Sequence, residues 1–212
     1  MNTESRFNRF NGVIAILAGL LLLGAEVAYA FFSSENVADM TVADRISGYL
    51  FLAGALSLTY TVVALSAYHR DTAGWFTLGA FFIATLGSAL MVTSDWTEVF
   101  GIPFFVDNGI TEPGGTLMIG YMINFITYSL GWTLSAIAML RDNRVPRFAA
   151  ASILLGILLV WGLGGLASTY RILDFISWFF WYGAFVWIGW SMLGSDQKHD
   201  AEILVEAVAV PA

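Results

Sequence analysis

The sequence contains no cysteine and only two histidines, His69 and His199, among its 212 residues. The lack of cysteine excludes disulfides, thiol nucleophiles and metal sites built from thiolates. Two histidines are too few for a metal centre made of imidazoles alone. The sequence therefore predicts no metal site and no cofactor.

Charged residues are also scarce, at 12% of the chain, and acids outnumber bases, so that the formal net charge is −7. Average soluble domains carry about 25% charged residues. Binding of nucleic acid requires clustered Lys and Arg side chains, and this chain has nine such residues in total. The composition therefore argues against nucleic acid as a partner.

Apolar residues are abundant and occur in six long stretches, near 11–33, 47–68, 75–93, 116–140, 148–167 and 173–193. A helix needs about 20 apolar residues to cross the hydrocarbon of a bilayer. The stretches are continuous, whereas the strands of membrane barrels alternate between apolar and polar residues. We therefore predict an all-α integral membrane protein, with one bundle of six transmembrane helices over 1–194 and a short acidic tail over 195–212.

The basic residues predict the orientation of these helices. Seven of the nine lie on one side of the predicted membrane, namely Arg6, Arg9, Arg70, Arg141, Arg144, Arg147 and Lys198, and Arg45 and Arg171 lie on the other. Because basic residues concentrate in cytoplasmic loops, both termini are expected in the cytoplasm. The expected location is the plasma (inner) membrane of a prokaryote.

The first stretch also resembles a secretory signal in outline, because Arg6 and Arg9 precede it and Ala28-Tyr29-Ala30 has the form of a cleavage site. Glu26 fits poorly just before such a site. We therefore interpret the stretch as a transmembrane helix.

The second outer loop, 94–115, is the longest segment without a continuous apolar pattern. Pro103 and Pro113 disfavour helix, and Asn108-Gly109 is typical of a turn. We expect an irregular loop that packs on the outer helix ends, and we leave open whether it is a lid or a binding element.

Glu26 is the strongest candidate for a functional residue. It follows Gly19 and Leu22 on one helical face that continues to Tyr29. Ionisable groups within membrane helices are costly and are often functional. The functional hypothesis is a proton, cation or ligand site that includes Glu26 and Tyr29. The alternative is a structural carboxyl that is hydrogen-bonded to a neighbouring helix or paired with Arg45 or Arg171.

The fourth stretch carries a polar stripe that includes Asn124 and Tyr128. An amide within a membrane helix can join two helices by hydrogen bonds, worth about 0.6–2 kcal/mol. We favour that structural role for Asn124. The alternative is that Asn124 and Tyr128 line a ligand or ion path together with Glu26.

Asp95 and Glu98 form a second acidic candidate at the outer end of the third stretch. Their spacing places both carboxyl groups on one face if the helix continues. Paired carboxylates can bind a hard cation or act as acid and base. A solvated surface is the interpretation that we favour, because the sequence has no dedicated pattern of cation ligands.

The sixth stretch is rich in aromatic residues, which we expect largely at the lipid surface. Trp178 and Trp190 are about 18 Å apart along a helix, so they are expected near the two membrane interfaces. Such surfaces suit contacts with lipids, with a membrane-protein partner or with a second copy of the chain.

Several enzyme classes are excluded by absent motifs. The sequence has neither a Gly-rich phosphate loop nor G-x-S-x-G, and no apolar stretch contains lysine. The most favoured function is a non-enzymatic accessory subunit or a module that binds a lipid or an apolar ligand. The alternatives are a small transporter or channel and, less favoured, a membrane enzyme.

Overall fold

The computed structural model describes residues 3–33, 41–70, 73–108, 115–167 and 171–209, and every regular element in these segments is helical. In chain order the elements are α1 (Thr3–Phe32), α2 (Val42–His69), α3 (Trp75–Trp96), a π-helical turn (Thr97–Gly101), α4 (Ile102–Asp107), α5 (Gly115–Asp142), α6 (Arg147–Ala167) and α7 (Arg171–Ala209). Five segments of this part of the chain are long and apolar enough to cross a membrane, namely Phe7–Phe32, Val42–His69, Trp75–Phe105, Gly115–Asp142 and Arg171–Gly194. The all-helical prediction is confirmed.

The sixth apolar stretch, in α6, is shorter over its described part than the other five. α6 spans 21 residues, and its apolar portion is described over Arg147–Leu163. The sixth crossing therefore remains a prediction. α7 is much longer than the predicted stretch near 173–193, because its backbone continues as helix to Ala209; residues 210–212 of the predicted tail lie outside the described residues.

The six long helices form a closed ring. α1 packs on α2, α2 on α3, α3 on α5, α5 on α6, α6 on α7, and α7 on α1. Each helix therefore has two neighbours, and the inward faces of the helices share one core.

The contact between α3 and α5 shows how small residues allow this packing. A Cβ atom added to Gly87 would lie 2.5 Å from Cα of Tyr128, and one added to Gly131 would lie 2.5 Å from Cα of Ala84. Only glycine allows the two backbones to approach this closely, as is common between membrane helices.

Aromatic side chains fill much of the core. The Tyr128 and Trp181 rings stack with centroids 4.9 Å apart, and Trp132 meets Phe185 edge-on at 4.6 Å. Trp190, by contrast, is 70% exposed on the outer face of α7. The aromatic residues of the last stretch therefore divide between the core and the outer surface.

The segment 94–107 is helical, so the prediction of an irregular loop is wrong for this part. α3 continues to Trp96 and passes through the π-helical turn into α4. Pro103 follows the π-helical turn, where the Ile102 N–H donates to the Thr97 carbonyl oxygen five residues earlier. This change in the bonding pattern keeps the chain helical at the position where proline offers no N–H. α4 ends where the Asn108 backbone N–H donates to the Phe104 carbonyl oxygen at 3.2 Å. Residues 109–114, including Pro113, lie outside the described residues.

The opposite end of the bundle is held by a polar contact between α2 and the turn from α5 to α6. Arg144 Nη1 donates to the Tyr68 carbonyl oxygen at 2.6 Å, and Asp142 lies 3.8 Å from both Arg144 Nε and His69 Nε2. His69 is fully buried there, which closes this end of the bundle.

Candidate functional site

A cavity of about 170 Å³ lies inside the ring, between α1, α2, α3, α5 and α7. Its walls combine acidic, hydroxyl, aromatic and aliphatic side chains. The lining residues are Leu22, Glu26, Phe51, Ala55, Leu58, Ser88, Met91, Asp95, Glu98, Phe125, Tyr128, Trp178 and Tyr182. Two groups of candidates that were predicted separately, Glu26 with Tyr128 and Asp95 with Glu98, therefore face one space.

One face of α3, with the π-helical turn that follows it, forms a long wall of the cavity that carries three polar side chains and Met91. Ser88, Met91, Asp95 and Glu98 recur at spacings of three and four residues, which places them along one helical face over about 15 Å. Glu98 belongs to the π-helical turn Thr97–Gly101. Turns of this kind interrupt α-helices frequently at functional sites.

Glu26 is buried, with 3% of its surface exposed, and it lines the cavity. Its carboxyl group makes neither a hydrogen bond nor an ion pair with any described residue, and its strongest electrostatic neighbour is another acid, Asp174. Arg171 instead donates from Nη1 to the Ser33 carbonyl oxygen at 3.0 Å. The rim ion pair with Arg171 that we considered is therefore not among the described contacts of Glu26.

Asp95 is buried, with 7% exposure, so the solvated surface that we favoured for it is wrong. The side chain points inward because the Asp95 face of α3 continues that of Ser88 and Met91 toward the core. Glu98 is more exposed and lies at the rim of the cavity. Three acidic residues thus line the cavity, and none of the described lining residues is Lys, Arg or His.

Tyr128 and Tyr182 stand between these acids. The two side chains interact electrostatically with each other and with Glu26 and Asp95. The Tyr182 ring stacks on Trp178 with centroids 5.0 Å apart. The two tyrosines therefore offer hydroxyl groups beside the carboxyl groups, and the tryptophan forms an adjoining aromatic wall.

Asn124 joins α5 to α3 and is absent from the described cavity lining. Its Nδ2 donates to Ser94 Oγ at 2.8 Å and to the Leu90 carbonyl oxygen at 3.1 Å. These hydrogen bonds fix the position of the Asp95 segment of α3 relative to α5. Tyr29 likewise lies outside the lining, is 45% exposed, and has the Arg171 guanidinium 5.7 Å from its ring centroid.

The end of the cavity at Ser88 is closed by packed side chains. Trp132 Nε1 donates to Ser88 Oγ at 3.2 Å, and Trp132 and Phe185 are both fully buried. Ligand access from that side would require these rings to move.

Several lining residues had no signal in the sequence. Phe51, Met91 and Phe125 belong to apolar stretches in which nothing separates a cavity wall from a core or a lipid contact. Trp178 was assigned to a membrane interface, whereas it lines the cavity and donates from Nε1 to Asp174 Oδ1 at 3.0 Å. The acids in or beside the apolar stretches were the only sequence signal that pointed to this cavity.

The described residues include no group of three or more His, Cys, Asp or Glu side chains arranged to hold a metal ion. Carboxyl groups that line one cavity could also serve the membrane-enzyme alternative as acid and base. However, the described lining contains no His or Lys that could activate the Ser88 hydroxyl.

The fold and the site together define a class: a helical, apolar protein, typical of the membrane, with an acidic internal cavity. Comparison with family models, curated proteins and solved structures gives no match to this chain.

Proposed function

We propose that this protein is a membrane-embedded binding module that holds a small ligand in the cavity between α1, α2, α3, α5 and α7. The observation that carries this proposal is the state of Glu26. The residue is 3% exposed and lines the cavity, and no hydrogen bond or ion pair joins its carboxyl group to a described residue. A polar group of a bound ligand would supply that partner.

The energetic argument concerns the cost of such a side chain. An ionised side chain at the centre of a membrane helix costs about 2.5–3.5 kcal/mol on the insertion scale, and unpaired buried polar groups are destabilising in general. A structural carboxyl would offset this cost with bonds inside the protein. Glu26 shows no such bonds to described residues, so a role in binding explains its position better than a structural role.

Binding of a neutral probe, benzyl alcohol, tests whether the cavity accepts a ligand. The full-length protein in zwitterionic nanodiscs is titrated, and quenching of tryptophan fluorescence is compared with that of Ala55→Phe, which fills the cavity. Leu56→Phe is the matched control, because Leu56 is on the same turn of α2 and is 55% exposed on the outer face. Saturable quenching should be lost in Ala55→Phe alone.

Equal, unsaturable quenching in the wild type and in both variants would show only partition into lipid and would refute the proposal. Circular dichroism checks that Ala55→Phe keeps its helices. If that variant does not fold, Met91→Phe narrows the same cavity from α3.

Transport is the second candidate, and the depth of the cavity favours it. Leu22, Leu58, Ser88 and Tyr182 lie near the middle of their helices, so a ligand beside them would be near mid-membrane. Flux of a bound ligand into liposomes, compared between the wild type and Glu26→Gln, tests this candidate. Saturable binding without flux would support the binding module and would exclude transport.

For the topology, we propose six crossings with both termini on the cytoplasmic side of a prokaryotic plasma membrane. The support is the bias of basic residues, seven to two, toward one side. Accessibility of single cysteines to an impermeant maleimide tests it, because the chain has no native cysteine. A cysteine at Arg144 should be labelled only after the cells are opened.

For partners, we propose contacts with membrane lipids and with a membrane protein or a second copy of the chain. Trp187 and Trp190 support this proposal, because they are 53% and 70% exposed on the outer face of α7 and aromatic residues are enriched at interfaces. Native mass spectrometry from a mild detergent tests it. A monomer that carries neither lipid nor partner would refute it.

A further inference from the structure

The cavity combines two kinds of surface that together recognise a particular ligand chemistry. One kind is acidic, from Glu26 and Asp95 inside and Glu98 at the rim. The other is aromatic, from Phe125, Trp178 and the two tyrosines. Carboxylates attract a positive charge, and the faces of aromatic rings attract cations as well.

The arrangement of the acids does not favour a bare metal ion. Ca²⁺ takes six to eight oxygen ligands at about 2.3–2.6 Å. In the described part of the chain, no three acidic side chains converge closely enough to hold a metal ion. The acids are instead spread along the cavity, from Glu26 on α1 to Asp95 and Glu98 on α3 and its π-helical turn. Such a spread suits a ligand with a polar head and an apolar body.

The size of the cavity limits that ligand. An apolar protein cavity of about 150 Å³ binds benzene. The present cavity, at about 170 Å³, has room for one ring or a short alkyl chain together with a small head group. Phe125 on α5 and Trp178 on α7 offer apolar contact for the body of the ligand, while the carboxyl groups lie on α1, on α3 and on its π-helical turn.

We propose that the cavity binds a small organic ammonium ion, whose charged head lies between Glu26 and Asp95 and whose apolar body packs on Trp178 and Phe125. This inference rests on the proposed function, because it names the ligand class of the same cavity. A positively charged head would give the Glu26 carboxyl the partner that it lacks among the described residues.

The test compares benzylammonium with benzyl alcohol, which has about the same size and shape but no charge. Both are titrated into the full-length protein in zwitterionic nanodiscs at neutral pH, with isothermal titration calorimetry as the measurement and empty nanodiscs as the blank. Benzylammonium should bind at least about tenfold more tightly, as a desolvated ion pair with added cation–π contact predicts.

Variants then assign the preference to the cavity acids. Glu26→Gln should remove most of the tenfold preference for benzylammonium over benzyl alcohol. Asp44→Asn is the matched control, because it removes the same charge from the exposed start of α2, outside the cavity lining. That control should leave both affinities unchanged. Circular dichroism shows that each variant is folded.

Each contrary result has a distinct meaning. Equal affinity for the two probes would overturn the ammonium inference while leaving the binding module intact. An equal loss of preference in Glu26→Gln and Asp44→Asn would overturn it as well, because the effect would then come from overall charge. Displacement of benzylammonium by an equal concentration of sodium would show a site for simple cations and would also refute the inference. Binding of neither probe would refute the proposed function itself.

Discussion

Replacement of Glu26 by glutamine should stabilise the protein, which is unusual for a change inside a packed bundle. Glutamine has nearly the same shape and keeps a polar head, but it cannot carry a negative charge. Glu26 has no hydrogen bond or ion pair with described residues to lose, and its electrostatic neighbour Asp174 is also acidic. The substitution therefore removes a cost without removing a described bond.

The magnitude follows from the depth of the side chain. An ionised group at the centre of a membrane helix costs about 2.5–3.5 kcal/mol. Glu26 lies one turn beyond Leu22, which is near the middle of the span Phe7–Phe32, so its cost is somewhat lower. The amide of glutamine has its own, smaller cost of burial. We expect a net stabilisation of about 1–2 kcal/mol, which corresponds to a midpoint about 2–8 °C higher.

Thermal unfolding at neutral pH, followed by tryptophan fluorescence at one scan rate, measures this effect; the chain contains eight tryptophans. The protein should first be shown free of co-purified ligand by native mass spectrometry, because a ligand that binds only the folded state would raise the wild-type midpoint. Asp44→Asn is the control for charge, and it should lower the midpoint slightly because Asp44 belongs to the capping box of α2.

A clear loss of stability in ligand-free Glu26→Gln would refute this reasoning. Removing one partner of a buried hydrogen bond costs about 1–3 kcal/mol, so a drop of that size would show that Glu26 has a structural partner. The binding module would then lose the observation that carries it.

Three further predictions concern the scaffold around the cavity, and the unfolding midpoint measures each. Gly131→Ala should destabilise the protein by about 1–3 kcal/mol, because its Cβ would lie 2.5 Å from the backbone of α3. The control Gly120→Ala, whose Cβ would have nothing within 4 Å, should be neutral or stabilising. Equal effects of the two substitutions would contradict the close packing of α3 and α5. Asn124→Ala should cost about 1–2 kcal/mol through its bonds to α3, more than Thr127→Val, which breaks only a bond within its own helix. Arg144→Ala should cost about 1–2 kcal/mol, because the Tyr68 carbonyl oxygen loses a charged donor, and an unchanged midpoint would show that this contact contributes nothing.

The helices could be predicted from the sequence because their cause is local. Long apolar runs are typical of segments that cross a membrane. Within lipid, each run can satisfy its own backbone hydrogen bonds as a helix. The same logic failed at 94–107, where Pro103 suggested a loop. A proline disrupts a regular helix interior. Here it follows a π-helical turn, and the sequence does not show where such a turn occurs.

The candidate acids could be named from the sequence, but their common cavity could not. Glu26 was singled out because a carboxyl in an apolar run is rare. The sequence predicts a solvated surface for Asp95, because it shows no dedicated pattern of cation ligands. Glu26 and Asp95 line one cavity although they lie about 70 residues apart in the sequence. Helical spacing carries no information about which helices enclose a common space.

The amino-acid sequence by itself determined the helices, the apolar character typical of a membrane protein and the rarity of charge in the apolar stretches, because these depend on composition and on spacing within single segments. The tertiary structure alone decided that α1, α2, α3, α5 and α7 line one space, which acids face it, and that Asn124 bonds to α3. The physical reason is that the enclosure depends on how separate helices pack. That packing depends on close contacts such as Gly87 against Tyr128, which join residues that are far apart in the sequence.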